Sequence, residues 1–348
     1  MLLSVDSRSY LFSKIKHKKY FSDNLPEILR KFLGEGSGPQ EFITELLLEI
    51  NSSKKIQTTY NFIKSDLHLL NLGFYSQIWK YLKLKEPNKV VIRFDGIGID
   101  SCKNVEETRY NLNKILSKGR FIIFQSQFCK SFFQNEFGYL PRNVVINNGA
   151  KKLINKKIDL NNFKRINLRI PQDENYFVVA GRFTGRKRIK ETIESFSKFN
   201  KYNLVVLSNI PDKEKIDNTR IKYIGIQKAI LAREIIYHSK ALVHMDSYDW
   251  CPNIVISALA DNIPVICSNY GGTCEIVRDN GLIIKEFPED LTANMDGVNF
   301  TKSSIFPENL LYDALYKINN LDSLKDNTEN YSISKCAEKY IKTFQDNF

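Results

Sequence analysis

A basic turn in the second half of the chain holds residues that could neutralise phosphate groups. Arg182 and Lys187 lie in the turn Gly-Arg-Phe-Thr-Gly-Arg-Lys, which follows the apolar run 176–180. Arginine offers a planar fork of donors and lysine a compact charge, so two such cations at a strand end suit a diphosphate. A solvated basic loop is the alternative interpretation, because Arg186 and Arg188 lie in the same turn.

An acidic turn further along the chain could bind a hydroxylated ring. Asp249 lies between the apolar run 241–244 and Pro252, and proline suits the first turn of a helix. The pattern predicts a strand, a turn, a helix over 254–259 and another strand over 263–266. A helix N-terminus can hold a phosphate with its N–H groups, while a carboxylate accepts hydrogen bonds from hydroxyl groups.

Alternating strands and helices must position these turns. In the second half, apolar and amphipathic runs alternate, with strands predicted over 176–180, 204–207, 221–224, 241–244 and 263–266, and helices over 189–199 and 229–238. Such repetition predicts the α/β class with a doubly wound parallel sheet. Ligands of such sheets bind at the carboxyl ends of the strands, so we expect both turns at that edge.

The first half shows the same alternation. A strand predicted over 89–94 ends at Asp95, and a strand over 27–33 leads through a glycine-rich segment to a helix over 42–50. Gly36 and Gly38 lie in this segment, and glycines let the backbone approach a ligand closely. Both features also occur in ordinary turns, since Asp-Gly favours a turn.

The downstream motif resembles a known family. Asp249-Trp-Cys-Pro-Asn, followed by Gly271-Gly-Thr-Cys-Glu-Ile-Val, is similar to the nucleotide-binding half of retaining GT-B glycosyltransferases of family four, the glycosyl transferases group 1. The resemblance implies the GT-B fold, in which two Rossmann-like, doubly wound parallel-sheet domains face a cleft. It also implies that a nucleotide-sugar donor binds the second domain and that the acceptor binds the first.

The resemblance implies a role for each matching residue. It places Asp95 and Asp249 nearest the reacting sugar as catalytic residues, and Arg182 and Lys187 on the donor diphosphate. It assigns the glycine loop of the first domain to Gly36 and Gly38. The remaining donor-binding positions that it implies are Gly225, Ile226, Pro252, Asn253, Ser257, Gly271, Gly272, Thr273 and Glu275.

Ser257 departs from the family pattern. The family usually carries a glutamate that binds the donor ribose eight positions after the first acidic residue, where this chain has Ser257 after Asp249. A serine can bind a hydroxyl group, but its uncharged hydrogen bond is weaker. This departure favours an alternative function, a non-catalytic GT-B protein that binds a glycan or nucleotide as a partner subunit.

The sequence predicts neither a metal ion nor another cofactor. It has no Asp-x-Asp motif and no CxxC pair, so Arg182, Lys187 and the helix N-terminus at Pro252 are expected to stabilise the leaving diphosphate. A phosphorylase or epimerase is disfavoured, because neither a cofactor-lysine motif nor a suitable base is found. His244, at the end of a buried strand, is expected to be a satisfied core residue. Retention and hexosyl transfer are implied by the resemblance alone.

Length and composition indicate two domains. The 348 residues exceed what one small core needs. We expect an acceptor-side domain over 1–150, a linker rich in Lys, Asn and Asp over 151–172, and a nucleotide-sugar-binding domain over 173–330. Residues 331–348 are expected to form a C-terminal helix, which in GT-B proteins crosses back to the first domain.

The formal charge of +12 allows several partners. Nucleic acid, an anionic membrane and phosphorylated substrates all suit it, as does a solvated lysine-rich surface. No nucleic-acid-binding pattern is present, so nucleic acid is not expected. The basic, aromatic segment 1–25 either lies on anionic lipid or packs on the first domain.

The expected location and partners follow from the same features. No apolar run reaches the ~20 residues that a membrane span needs, and neither a secretory segment nor paired cysteines are evident. We therefore expect a cytoplasmic protein with peripheral contact at the inner face of the membrane. Its expected partners are a nucleotide-sugar donor and a glycan or lipid-linked acceptor, in the synthesis of surface polysaccharide or glycoconjugate.

Overall fold

A computed structural model describes residues 1–5, 38–59, 65–71, 89–97, 104–117, 121–153, 175–199, 201–288, 295, 305–319 and 328–348. The chain forms two compact units. The first contains residues 1–151, 290–300 and 331–348, and the second contains residues 152–289 and 301–330. Residues 154–174, which include most of the predicted linker, lie outside the described residues.

The first unit contains a parallel sheet of six strands in the order β2-β1-β3-β4-β5-β6. Every residue of β3, β4 and β5 is buried. Continuous burial of this kind is typical of parallel strands that are covered on both faces. The strands are β1 (Leu2–Ser4), β2 (Gln57–Thr59), β3 (Leu67–Asn71), β4 (Val90–Phe94), β5 (Phe121–Phe124) and β6 (Arg142–Val145).

The second unit contains another parallel sheet of six strands, in the order β12-β11-β10-β7-β8-β9. Apolar side chains from one face of its central strands form a buried core, in which Phe177, Val206 and Val243 are fully buried. The strands are β7 (Tyr176–Ala180), β8 (Asn203–Leu207), β9 (Ile221–Tyr223), β10 (Ala241–His244), β11 (Val265–Ser268) and β12 (Gly281–Ile284).

Helices connect the strands of both sheets. Three of them begin at a polar cap, because the side chains of Asn104, Ser126 and Ser332 accept a hydrogen bond from the backbone N–H three residues further on. The described helices are α1 (Gly38–Ser52), α2 (Val105–Leu116), α3 (Gln127–Phe137), α4 (Ile189–Phe199), α5 (Ala229–Tyr237), α6 (Asn253–Ala260), α7 (Gly272–Val277), α8 (Glu308–Asn319) and α9 (Ile333–Asn347). Within the described part of the chain, no helix is long and apolar enough to span a membrane.

The start of the first unit differs from the sequence-based expectation. Helix α1 begins at Gly38, so this glycine is a helical residue and does not belong to a loop. Pro39 explains the early start, because proline suits the first turn of a helix and needs no hydrogen-bond acceptor there. Gly36 and the strand predicted over 27–33 lie outside the described residues, and the first strand of the chain is β1, which the sequence analysis did not predict.

The last helix belongs to the first unit. Tyr340 and Phe344 of α9 and Leu47 of α1 are fully buried in one core. Just before α9, the backbone pairs with Ala150, whose N–H donates to Tyr331 O at 2.8 Å and whose carbonyl accepts from Ile333 N at 3.0 Å. The C-terminal segment thus completes the core of a unit whose other residues come almost entirely from the first 151 residues.

Candidate functional site

The strand order of the second sheet reverses between β7 and β10. Strand β7 pairs with β8 on one side and with β10 on the other. The chain continues from β7 to β8 and from β10 to β11, so it leaves the neighbouring strands β7 and β10 in opposite directions across the sheet. Such a topological switch point is where ligands bind in open α/β sheets. The basic turn follows β7 and the acidic turn follows β10, so the fold brings together the two turns that the sequence singled out.

The basic turn is held by its last residue. Residues Gly185–Lys187 form a short 3₁₀ helix, and Arg188 then adopts a left-handed conformation with φ 50°. The Nη1 atom of Arg188 donates to Glu286 Oε2 at 2.7 Å, and both side chains are buried. This buried ion pair fixes the end of the turn and thereby the direction in which Lys187 leaves it.

Lys187 lies between two carboxylates of the acidic turn. Its Nζ donates to Asp249 Oδ2 at 2.8 Å and also to Asp246 Oδ2. Arg186 adds a second positive charge, with its Nη1 3.6 Å from Asp249 Oδ2, and donates to the carbonyl of Tyr248 at 2.6 Å. Two cations from one turn therefore meet two anions from the other.

Burial and charge act against each other on the pKa values of this cluster. Burial lowers the pKa of Lys187, but Asp246 and Asp249 raise it more, so the net shift is upward. Burial raises the pKa of Asp246 to about 7 despite Lys187. Burial also acts to raise the pKa of Asp249, but the positive charges of Lys187 and Arg186 hold this pKa well below its ordinary range. Lys187 and Asp249 are therefore charged at neutral pH.

His244 is buried beside the same carboxylates but is not fully satisfied. Burial, together with Lys187, lowers its pKa to about 3, so the imidazole is neutral. Its Nε2 lies 3.4 Å from Asp246 Oδ2 and has no hydrogen-bond partner among the described residues. The expectation of a core position is correct, and the expectation of a satisfied side chain is wrong.

The cluster includes groups that could bind a metal ion. Ligand atoms of His244, Asp246 and Asp249 lie within 4.8 Å of one another. However, the ammonium group of Lys187 already donates to both carboxylates, with Arg186 beside them. A divalent cation in this place would face two fixed positive charges, so we assign none of the three as a metal ligand. The absence of a metal ion stays a prediction.

A glycine turn after β11 packs on the acidic turn. Gly271 has φ 91°, and a Cβ atom there would lie 2.8 Å from Asp249 N. The N–H of Gly272 donates to the carbonyl of Asp249 at 2.6 Å. Thr273 follows in α7, and its buried Oγ1 has no hydrogen-bond partner among the described residues. The predicted donor residues Gly271 and Gly272 thus adjoin Asp249 directly, and Thr273 follows them in the chain.

Helix α6 presents its polar residues on one side. Pro252 caps this helix, one position before the start, although the sequence analysis had placed it within the first turn. Asn253, Ile254 and Ser257 are half-buried, whereas most other residues of α6 are buried. Because residues four apart lie on the same helix face, Asn253 and Ser257 point the same way. Glu275, in the first turn of α7, is also half-buried.

Three predicted donor-binding residues lie at the surface. Arg182 is exposed and forms no hydrogen bond or ion pair within the described part of the chain. Gly225 has φ 77°, and the N–H of the exposed Ile226 donates to Asn209 Oδ1 at 3.3 Å. These residues are available to a ligand but make none of the contacts that hold Lys187.

Asp95 belongs to a buried network in the first unit. Its Oδ1 pairs with Nη1 of the fully buried Arg93, and only 6% of the Asp95 side chain is exposed. Arg93 also donates from Nε to Tyr340 OH at 2.9 Å and from Nη2 to Asn148 Oδ1. The carboxylate expected to act in catalysis is therefore engaged by a structural arginine in this state.

A family comparison identifies the region that carries the cluster. Residues 161–298 match the family model described as glycosyl transferases group 1. This region is similar to the glycosyl transferases group 1. The resemblance to this family that was inferred from the sequence is confirmed, and retention stays a prediction. A search of curated protein sequences found no match.

Solved structures share the fold of this chain. A sucrose-phosphate synthase from Thermosynechococcus elongatus matches with TM-score 0.63 and 13% identity, over 99% of this chain and 98% of the other. Anabaena HepE in complex with UDP matches with TM-score 0.58 and 12% identity over 99% of both chains. WaaG, a glycosyltransferase involved in lipopolysaccharide biosynthesis, matches with TM-score 0.56 and 12% identity over 88% of this chain and 96% of the other. The predicted α/β GT-B fold is confirmed.

Two functional candidates within residues 161–298 were not predicted from the sequence. Asp246 was not singled out within the acidic turn, and Arg186 entered only as an argument for a solvated loop. The structure pairs Asp246 with Lys187 and places Arg186 within 4 Å of both carboxylates. Their signal was the coincidence of a basic turn and an acidic turn after two strands that become neighbours in the sheet.

Proposed function

We propose that the chain transfers a sugar from a nucleoside-diphosphate sugar to a glycan or lipid-linked acceptor. The observation that carries this proposal is the charged Lys187 at the switch point of the second sheet, within the region similar to the glycosyl transferases group 1. A nucleoside diphosphate leaves with growing negative charge, and a fixed cation in a partly dry site stabilises such charge strongly. Lys187 meets that description, since only 14% of its side chain is exposed.

The neighbouring groups have complementary tasks in this mechanism. Arg182 is exposed and can close on the diphosphate with its fork of donors. The N-terminus of α6 adds the positive end of a helix dipole. Asp249 is ionised and 15% exposed, so it can accept hydrogen bonds from the sugar hydroxyl groups. The reaction then needs no metal ion, and we propose metal-independent transfer.

The finer features of the proposal rest on the resemblance and on the solved relatives. We propose retention of anomeric configuration and a hexosyl donor. HepE has been solved with UDP and with UDP-glucose, which makes these the first compounds to test. WaaG acts in lipopolysaccharide biosynthesis, which supports a lipid-linked glycan as acceptor and a site of action at the inner face of the membrane, in the synthesis of surface polysaccharide.

The decisive experiment is a binding titration with a matched lysine control. Calorimetry with UDP, GDP, ADP, CMP and their sugars should identify one nucleotide. In Lys187→Met we expect its affinity to fall about ten- to hundredfold, because a hydrogen bond to a charged group contributes about 1.5–3 kcal/mol. Lys190→Met is the control, since that lysine is 53% exposed and pairs with Glu214 away from the cluster. Equal affinity in both variants would contradict the proposal, as would a wild-type protein that binds none of the ligands.

A non-catalytic binding protein is the second candidate. Ser257 favours it, because a neutral hydroxyl replaces the charged group that the family usually offers to the donor ribose. Donor hydrolysis without an acceptor separates the two candidates. Turnover that EDTA does not abolish, with the released sugar's anomer followed by NMR, would support metal-independent retaining transfer. Nucleotide binding without turnover, even in Ser257→Glu, would establish the second candidate.

A further inference from the structure

We propose that Asp246 is an internal counter-ion that competes with the donor diphosphate for Lys187. In this view Asp246 holds the lysine in the resting state and releases it when the donor binds. Asp246 is then a positioning residue that sets donor affinity. The inference rests on the proposed function and adds a form of regulation to the same site.

The geometry separates the roles of the two carboxylates. Asp246 is 4% exposed, and its Oδ2 accepts from Lys187 Nζ, whereas the Asp249 side chain is 15% exposed. The backbone of Asp246 is also fixed, because its carbonyl accepts a hydrogen bond from Ser268 Oγ at 2.8 Å. A ligand can therefore reach Asp249 but not Asp246, and Asp246 acts on a ligand only through the lysine.

Lys187 is the member of the pair that can move. Its four-carbon side chain ends in a compact charge with freely rotating donors, whereas Asp246 is short and enclosed. With both carboxylates ionised, the charges of Lys187 and Arg186 are fully balanced. When a diphosphate accepts the hydrogen bond of Lys187 in place of Asp246, Asp246 becomes a buried anion beside the ionised Asp249. Two like charges that are so close repel strongly in a partly dry site.

A proton can relieve this repulsion. Burial already raises the pKa of Asp246 to about 7, so neutralisation near neutral pH is accessible. Removal of Lys187 from its carboxylate would raise that pKa further, so donor binding should be accompanied by proton uptake. Affinity is then expected to increase as the pH falls toward about 7 from above and to level off below it, because Asp246 is already protonated there before the donor binds. The charged or titratable groups that face Asp246 are Lys187 and Arg186 from the basic turn, His244 and Asp249 from its own segment, and Cys267 from β11.

Calorimetric titration of UDP into wild type, Asp246→Asn and Asp212→Asn tests the proposal. Asp212→Asn makes the same charge change at a residue that is 95% exposed and pairs with Lys215. At about pH 8, Asp246 is almost fully ionised because its pKa is about 7. At this pH we expect the UDP dissociation constant to fall about tenfold in Asp246→Asn, since one repulsive charge is removed, and to stay unchanged in Asp212→Asn. Titrations in two buffers of different ionisation enthalpy should show proton uptake in wild type that Asp246→Asn lacks. Protonation of UDP itself contributes equally in both proteins, so the difference in proton uptake between wild type and Asp246→Asn reports on Asp246.

Each result decides a different question. If wild type binds UDP and Asp246→Asn binds it equally or more weakly, the counter-ion role is overturned. If Asp246→Asn does not fold, the absence of proton uptake in wild type overturns it instead. If neither wild type nor Asp246→Asn binds any nucleoside diphosphate, the proposed function itself fails.

Discussion

Gly271 shows how closely the turns of the site approach one another. Its φ of 91° is unfavourable for any residue with a Cβ atom. The space is closed as well, since a Cβ would lie 2.8 Å from the backbone N and 3.0 Å from the backbone O of Asp249. Backbone atoms cannot rotate away as a side chain could, so Gly271 sets the position of the residue that is proposed to meet the sugar.

We therefore expect Gly271→Ala to damage both stability and the site. The unfavourable φ alone costs on the order of 1–3 kcal/mol, and the backbone overlap adds to it. Gly185→Ala is the matched control, because a Cβ at Gly185 meets nothing within 4 Å. Urea denaturation should show a lower midpoint for Gly271→Ala only, with weaker nucleotide binding. A Gly271→Ala protein as stable as Gly185→Ala would show that the loop relaxes freely.

At this scale the sequence indicated candidate residues but not the contacts that they make. Lys187 and Asp249 were identified from their types and positions, and Gly271 was identified from the family resemblance. The ion pair between Lys187 and Asp246 was not, because it joins residues 59 positions apart and depends on the order of strands in the sheet. Asp95 illustrates the same limit, since a strand-end carboxylate gives no sign that the neighbouring Arg93 is buried against it.

At the scale of elements, Arg93 joins four parts of the first unit. The fully buried side chain lies on β4, contacts Asn148 after β6, and reaches Tyr340 on α9. Its guanidinium group also lies over the ring of Phe42 on α1, with Cζ 4.5 Å from the ring centroid. A buried charge needs this number of partners, because each unsatisfied donor would cost free energy.

Tyr340→Phe should isolate one of these partners. The ring stays in the core, but Nε of Arg93 loses its acceptor at 2.9 Å. Leaving a buried donor unsatisfied costs about 1–3 kcal/mol, so we expect the free energy of unfolding to fall by that amount. Tyr139→Phe is the control, since Tyr139 is 76% exposed and should change stability by less than about 0.5 kcal/mol. Similar unfolding midpoints for both variants would mean that water replaces the hydroxyl group.

Element positions were predictable wherever the apolar pattern was long. The strands over 176–180 and 241–244 and the helix over 189–199 were predicted at their observed bounds. Strand β1 was missed because three residues carry too little periodicity to be distinguished from a loop. The start of α1 was misplaced because its first turn, with Gly38 and Pro39, lacks the apolar spacing on which the prediction depended.

At the scale of the whole molecule, the first unit is discontinuous in sequence. Residues 331–348 pack with residues 1–151, although the second unit lies between them along the chain. The contact is extensive, because Tyr340 and Phe344 are fully buried and Ile333 and Ile341 nearly so. Helical periodicity could indicate that α9 has an apolar face, but it could not show which core that face completes.

Deletion of residues 331–348 should therefore unfold the first unit and spare the second. Each buried large side chain contributes about 1.5–3 kcal/mol, and the loss of several approaches the total stability of about 5–15 kcal/mol that a domain has. In calorimetric scans we expect the full chain to show transitions for both units and the truncated chain to keep only that of the second.

A bound nucleotide should raise the midpoint temperature of the remaining transition, because the proposed site lies wholly in residues 152–289. Replacement of the exposed Lys335, Lys339 and Lys342 by alanine is the control for α9 and should leave both transitions in place. Loss of nucleotide binding on truncation would instead show that the second unit depends on the first for its folded state.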